Sequence, residues 1–194
     1  MAAVILAAGE STRMGSPKPT LAYGRTTMVG AAVSAANTAE LAPVIVVTGF
    51  HGDVVSKAVG GSAQVVHNPH PESGNLSSLL VGLDAAGDVD GAIVLLADMP
   101  EVRSEVIADL AVGLIASGGR SGWVEYADGR GHPIALARRT FEDVRTLTGP
   151  RPLWPYLASL SEGDRFVLQI DTPQPINVNT PEDYERVTRS SDAT

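Results

Sequence analysis

The chain contains no cysteine, which excludes disulfides, thiolate metal sites, iron–sulfur clusters and a cysteine nucleophile together. Lysine is nearly absent, since Lys18 and Lys57 are the only two. Positive charge is short overall, with 14 Lys plus Arg against 22 Asp plus Glu and a formal net charge of −8. That balance gives no footprint for a nucleic-acid backbone, yet leaves room for a local basic pocket that takes a small anion. No apolar run approaches the roughly 18 residues that a membrane span needs. The apolar opening, residues 1–9, has no basic residue ahead of it and stops at a glycine. It reads as a buried strand rather than a secretory signal, and the protein as cytoplasmic. What is present is ordinary globular composition, 44% hydrophobic and 19% charged over 194 residues, enough chain for one sizeable core.

Residues 3–7 are a short, continuous apolar run, as expected of a parallel strand covered on both faces. Runs at 44–48, 63–66 and 92–96 repeat the pattern. Helical stretches fall between them, the first with Met28, Val29, Ala32, Val33 and Ala36 at helical spacing, the others over 53–59 and 76–86. A longer helix is predicted over 104–116, with Ile107, Leu110, Ala111, Leu114 and Ile115 as its apolar stripe. Strands alternating with helices at this spacing predict βαβ units, right-handed crossovers and a mostly parallel sheet. After Gly118 the pattern changes. Segments 123–126 and 133–136 flank Asp128-Gly129, which predicts a hairpin with a tight turn at that pair. Short helices over 140–147 and 152–160 and a strand over 166–170 follow. A final helix starts at Pro181, with Thr180 as its cap and acidic Glu182 and Asp183 in its first turn. The expected fold is a single-domain, three-layer α/β/α arrangement around a Rossmann-like sheet, with a small antiparallel addition.

Ligands of an open parallel sheet sit beyond the carboxyl ends of its strands. Three loops leave such ends: 8–18, 68–75 and 97–100. The first begins with Ala7, Ala8 and Gly9, small enough for main-chain N–H groups to approach a phosphate, and continues to Arg13 and Lys18. A chain that avoids lysine nearly everywhere, yet keeps one near an arginine in a glycine loop, points to an anion site; the alternative is a solvated turn with incidental charges. The loop has neither the Gly-x-Gly-x-x-Gly of a dinucleotide binder nor the Gly-Lys-Ser/Thr of a Walker A loop. Asp98 reads either as a carboxylate offered to a cation or as the start of an Asx-type turn. His67 and His70 are three apart, but Pro69 and Pro71 prevent a helix there and no third ligand is near, so no zinc site is expected.

The loop Leu6-Ala-Ala-Gly9-Glu-Ser-Thr-Arg13-Met-Gly15-Ser-Pro-Lys18 resembles the Leu-Ala-(Ala/Gly)-Gly-x3-Arg-Met-Gly-x2-Lys signature of nucleotidyltransferases of the molybdenum-cofactor type. Asn68-Pro-x4-Gly74-Asn-Leu-Ser77-Ser78-Leu is similar to that family's second loop, and Leu96-Ala-Asp98-Met-Pro100 to its metal-binding turn. Gly131-His132-Pro133 is similar to its acceptor-side hairpin, and Asn177-Val-Asn179-Thr-Pro-Glu-Asp183 to its closing motif. The resemblance, in the family's order, runs through most of the chain. It implies the nucleotide-diphospho-sugar transferase type of fold. Residues 1–117 would then form the nucleotide-binding half, and 118–190 the acceptor-binding half with its closing helix.

The implied reaction moves a nucleotidyl unit from a nucleoside triphosphate to a phosphate-bearing acceptor and releases pyrophosphate. Such chemistry brings negative charges together, so positioning and charge neutralisation dominate. On the resemblance, Leu6, Ala7, Ala8, Gly9, Asn68, Ser77 and Ser78 join Arg13 and Lys18 in binding the nucleotide. Arg13 and Lys18 would hold the β- and γ-phosphates. Asp98 would supply the carboxylate, and Asn179 a carbonyl oxygen, for Mg²⁺ with Mn²⁺ as the alternative. His132 and Pro133 would contact the acceptor, and Trp123, Tyr126 or Trp154 could stack on a flat one. Ala7-Ala8-Gly9 goes with cytidylyl transfer, which favours CTP, with molybdopterin as acceptor and a molybdoenzyme or chaperone as further partner. The Asn177-Val-Asn179 ending is closer to the guanylyl branch, and Gly149-Pro-Arg-Pro-Leu-Trp154 stands where the cytidylyl branch has Gly-Asp-x-Gly-Ala-Arg. Two other readings stay open: GTP or another triphosphate with molybdopterin or a different phosphorylated acceptor such as a sugar phosphate, and a nucleotide-binding module without turnover.

Overall fold

Strand alternation decides which layer each core residue serves. In β1 (Ala2–Ala7) the side chains of Ala3, Ile5 and Ala7 enter one apolar cluster, and those of Ala2 and Val4 enter another. β4 (Val44–Thr48) divides in the same way, Val44 and Val46 against Ile45 and Val47, and so does β6 (Gly91–Leu96), Ile93 and Leu95 against Ala92 and Val94. These strands are apolar on both faces, so each face needs a cover of helices. The structure, a computed structural model, describes residues 1–149 and 152–191, apart from the side chains of Arg13, Ser190 and Ser191.

One layer consists of α1 (Met28–Thr38), α2 (Gly52–Val59) and α4 (Ser104–Ser117), the other of α3 (Asn75–Ala85), α5 (Phe141–Thr146) and α6 (Leu153–Ser159). α1 starts at Met28 because the Thr27 hydroxyl accepts the Gly30 N–H at 3.1 Å. α4 buries Val106, Ile107, Leu110, Ala111 and Leu114, but Ile115, expected in the same stripe, is 63% exposed. Five residues at 3.6 per turn carry it about 140° round the helix from Leu110, off the buried face. No helix among the described residues is long and apolar enough to cross a membrane.

With β5 (Gln64–His67), β7 (Ser121–Tyr126), β8 (Gly129–Ala137) and β9 (Arg165–Ile170), the sheet has the order β5-β4-β1-β6-β8-β7-β9. All neighbours pair in parallel except at β8, which runs antiparallel to β6 and β7. The hairpin expected after Gly118 is thus inserted into the main sheet. Its turn falls on Ala127 and Asp128, one residue earlier than predicted, because Gly129 already pairs with Tyr126 and opens β8 at φ 123°. A separate two-stranded ladder, β2 (Ala22–Tyr23) with β3 (Thr26–Thr27), supports α7 (Pro181–Ser191) through the Tyr184 hydroxyl, which donates to the Ala22 carbonyl at 2.8 Å.

From β1 the chain steps outward to β4 and β5, then returns to β6 on the other side of β1. This is a topological switch point, where loops leaving adjacent strands separate and open a crevice. The parallel register pairs Leu6 with Leu96. The loops that follow β1 and β6 therefore leave the sheet side by side.

Candidate functional site

A cleft of about 740 Å³ opens at that switch point. The loop after β1 forms one wall with Ala7, Ala8, Gly9 and Lys18, the N-terminal turn of α3 a second with Asn75 and Ser78, and the end of β6 contributes Asp98. His132 from β8, Trp154 from α6, and Asn177 and Asn179 from the segment before α7 complete it. Most residues singled out from sequence thus share one cavity, although Lys18 and Asn179 are separated by 161 positions.

Local chemistry shapes the first loop. Ser11 and Gly15 take left-handed conformations, at φ 60° and 65°, on either side of the single turn Thr12–Met14. The Ser11 hydroxyl accepts the Lys18 N–H at 3.0 Å and closes the loop on itself. At Gly9 a β-carbon would meet nothing within 4 Å, so the main chain there faces open space. The Arg13 side chain lies outside the described residues.

The centre of the site is the Lys18 ammonium. It donates to Asp98 Oδ2 at 2.7 Å, to the Val178 carbonyl at 2.9 Å and to Asn179 Oδ1 at 3.2 Å. The Asn179 amide is oriented by its Nδ2, which donates to the main-chain oxygen and to Oδ1 of Asn177, at 3.1 and 3.0 Å. Val178 N–H donates to the Asp98 carbonyl at 2.8 Å, which ties this segment to the end of β6. Asp183 accepts the N–H groups of Asn179 and Thr180, both at 3.0 Å, while Thr180 Oγ1 accepts the Asp183 N–H, a reciprocal cap at the start of α7. Those bonds, the Asn179 N–H first, hold the Asp183 carboxyl below its ordinary pKa. A carboxylate, an amide carbonyl and a main-chain carbonyl converging on one cation form an all-oxygen set. That set suits Mg²⁺ or Mn²⁺ and gives zinc none of its preferred nitrogen or sulfur ligands.

Other expected contacts sit elsewhere. Asn68 is buried, its Nδ2 donating to the hydroxyls of Ser77 and Ser78 at 2.9 and 3.0 Å and its Oδ1 accepting the His70 N–H at 2.9 Å. Those bonds consume the side chain in shaping the second loop. The Ser77 hydroxyl is likewise engaged within its loop, its one O–H shared between the Gly74 and His70 carbonyls at 2.8 and 3.0 Å, and only Ser78 of the pair lines the cleft. His70 meets Glu72 at 3.3 Å, and no group of three metal-binding side chains exists among the described residues.

On the acceptor side the ladder between β7 and β8 slips: Trp123 opposes Ile134, but the next residue, Val124, opposes Gly131. His132 and Pro133 form the bulge, which turns His132 into the cleft while Pro133 is buried outside it. Of the three aromatics considered from sequence, Trp123 and Tyr126 belong to the core and Trp154 alone reaches the cleft. Trp154 lies edge-on to His132 with centroids 5.9 Å apart, and the Arg130 guanidinium stands 5.7 Å from its centroid. Sequence reading passed over Leu76, Leu79, Val94 and Ile134, which line the floor, because floor and core ask for the same apolar residues.

Burial pushes the His132 imidazole down to about 4, against a smaller upward pull from the Val94 main chain and Asp98. Its Nδ1 is buried without a hydrogen-bond partner among the described residues. The unfolded chain titrates near 6.5 and takes up the proton first. The contribution is therefore whole above pH 6.5 and is lost as pH falls toward 4, with a slope of at most about 1.4 kcal/mol per pH unit. His132→Gln should flatten that part of the profile, as urea unfolding at pH 4.5 and 7.5 would show; an equal acid loss in both proteins would contradict it.

The profile of the MobA-like NTP transferase domain matches residues 3–164. The bifunctional protein GlmU of Caulobacter vibrioides is 38% identical over 117 residues, 56% of this chain and 25% of that protein, and the chain spans about a quarter of the length of the curated relatives it matches. Rv0371c of Mycobacterium tuberculosis H37Rv superimposes with a TM-score of 0.85 at 30% identity, covering 97% of this chain and 96% of that one. A crystal structure of Rv0371c in complex with manganese gives 0.80 at 28% identity, covering 97% and 98%.

Proposed function

The chain belongs to the MobA-like NTP transferase domain family and is a nucleotidyltransferase, and on that premise we propose that it moves CMP from CTP to the terminal phosphate of molybdopterin. An acceptor phosphate oxygen bonds to the α-phosphorus of CTP, the bond from that phosphorus to the bridging oxygen breaks, and pyrophosphate leaves with the electron pair. The acceptor phosphate is already ionised, so the step calls for no general base. The chain's own part is to bring two polyanions together and to neutralise the charge that gathers as the bond breaks.

The observation that carries this reading is the meeting of Lys18, Asp98 and Asn179 in the wall of the cleft. Ala8 and Gly9 offer main chain to the phosphates, and Arg13 and Lys18 offer charge. Asp98 and Asn179 would hold a divalent ion, which when bound neutralises charge between the incoming and leaving groups; manganese bound to Rv0371c is consistent with this. His132 and Trp154 form the wall on the acceptor side, where a flat heterocycle would find an aromatic surface. On the resemblance, Ala8 in Ala7-Ala8-Gly9, where the guanylyl branch has glycine, is what favours a pyrimidine.

Pyrophosphate release tests it, with CTP, GTP, ATP and UTP in turn, with molybdopterin or sugar phosphates as acceptor. CTP with molybdopterin should be fastest, by about tenfold or more over any other pair, a pocket-shape discrimination of the usual size. GTP in first place would instead support the second reading, guanylyl transfer, which the neutral pair Asn177 and Asn179 favours. No release with any pair would sink both.

A further inference from the structure

The Lys18 ammonium has three N–H bonds to give, and Asp98 Oδ2, the Val178 carbonyl and Asn179 Oδ1 accept them at 2.7, 2.9 and 3.2 Å. Nothing remains for a phosphate while the side chain lies there. Two of the three acceptors are held without help from the lysine, because Asn177 orients the Asn179 amide and the Val178 N–H is bound to the Asp98 main chain. With Asp98 Oδ2 they make a cage for one cation. Only 14% of the Lys18 side chain and 23% of that of Asp98 are exposed, so solvent screens the pair incompletely. A divalent ion and an ammonium cannot share the same three oxygens.

We infer that Lys18 is the built-in counter-cation of this cage, competing with the divalent ion for Asp98, Val178 and Asn179 until a triphosphate draws the ammonium away. The main chain of Lys18 stays anchored to Ser11, so the exchange is a swing of the side chain along the wall of the cleft it already lines. The metal then binds poorly by itself and well together with the nucleotide. The lysine in turn neutralises Asp98 in one state and phosphate in the other. The second half of this inference rests on the nucleotidyl-transfer reading; the first half, competition at the cage, does not.

Mn²⁺ binding without nucleotide, followed through the electron paramagnetic resonance of the free ion, is the direct test. Lys18→Met should bind Mn²⁺ at least tenfold more tightly than the wild type, and Lys57→Met should equal the wild type. Equal or weaker binding by Lys18→Met would overturn the competition. A measurement on the unmodified protein covers the case of a variant that does not fold. With two lysines in the chain, ¹³Cε labelling gives two signals, and only that of Lys18 should move on adding CTP and Mg²⁺ together. CTP that binds without moving that signal would overturn the exchange. CTP that does not bind at all would end the functional reading and the exchange with it, leaving the Mn²⁺ result to decide the competition alone.

Discussion

Replacing Asp98 with alanine is expected to lower pyrophosphate release by roughly 10³-fold or more, the scale set by losing several kcal/mol of charge stabilisation in the transition state. The fold should survive. The link between the end of β6 and the closing segment runs through the Asp98 carbonyl, which accepts the Val178 N–H at 2.8 Å and is untouched by the substitution. The ammonium of Lys18 would keep two neutral oxygens of its three acceptors, a loss of about 1–3 kcal/mol for a partly buried charged bond. In a chain of this size that lowers Tm by about 10 °C or less. Turnover beside a circular-dichroism melt separates the two effects. Wild-type rates in Asp98→Ala would refute the role given to this carboxylate.

Gly49→Ala should damage both stability and nucleotide binding although the residue touches no substrate in the reading above. Gly49 follows β4 where the first and second loops cross. A β-carbon there would lie 2.6 Å from the Ala8 carbonyl oxygen, 2.6 Å from Pro71 Cβ and 2.9 Å from Ala8 Cβ. The main chain of Ala8 cannot yield without moving the loop that carries Gly9 and Lys18. The expected cost is about 1–3 kcal/mol of stability, typical of overpacking, with CTP affinity lower by about tenfold or more as the phosphate loop is displaced. Chemical denaturation together with a CTP titration reads both. Unchanged affinity would mean that the first loop adjusts freely.

Pairing and packing explain how far the sequence could be read. Strands β1, β4 and β6 were legible because burial on both faces leaves unbroken apolar runs, and the helices because one apolar stripe recurs at 3.6-residue spacing. Those regularities are local. The insertion of β8 between β6 and β7 was not legible, since a hairpin reads the same whether it stands apart or joins the sheet. The inward turn of Asn68 was also hidden, because an asparagine before a proline looks alike whether it meets a ligand or ties its own loop to the helix that follows. Of the aromatics, Trp154 is set apart from Trp123 only by which helix or strand ends at the cleft.

By itself the sequence determined the layers, the order of the elements and the loops that line the cleft, for these follow from spacing, small residues and a lysine kept where almost none is used. Tertiary structure decided what Lys18 touches. Assigned on sequence to a phosphate, its ammonium lies among the oxygens expected for a metal. The physical reason is that a charged group inside a cleft takes whatever opposite charge and aligned carbonyls the fold brings within about 3 Å. Those partners came from the end of β6 and the approach to α7, segments that no local pattern connects to the loop after β1.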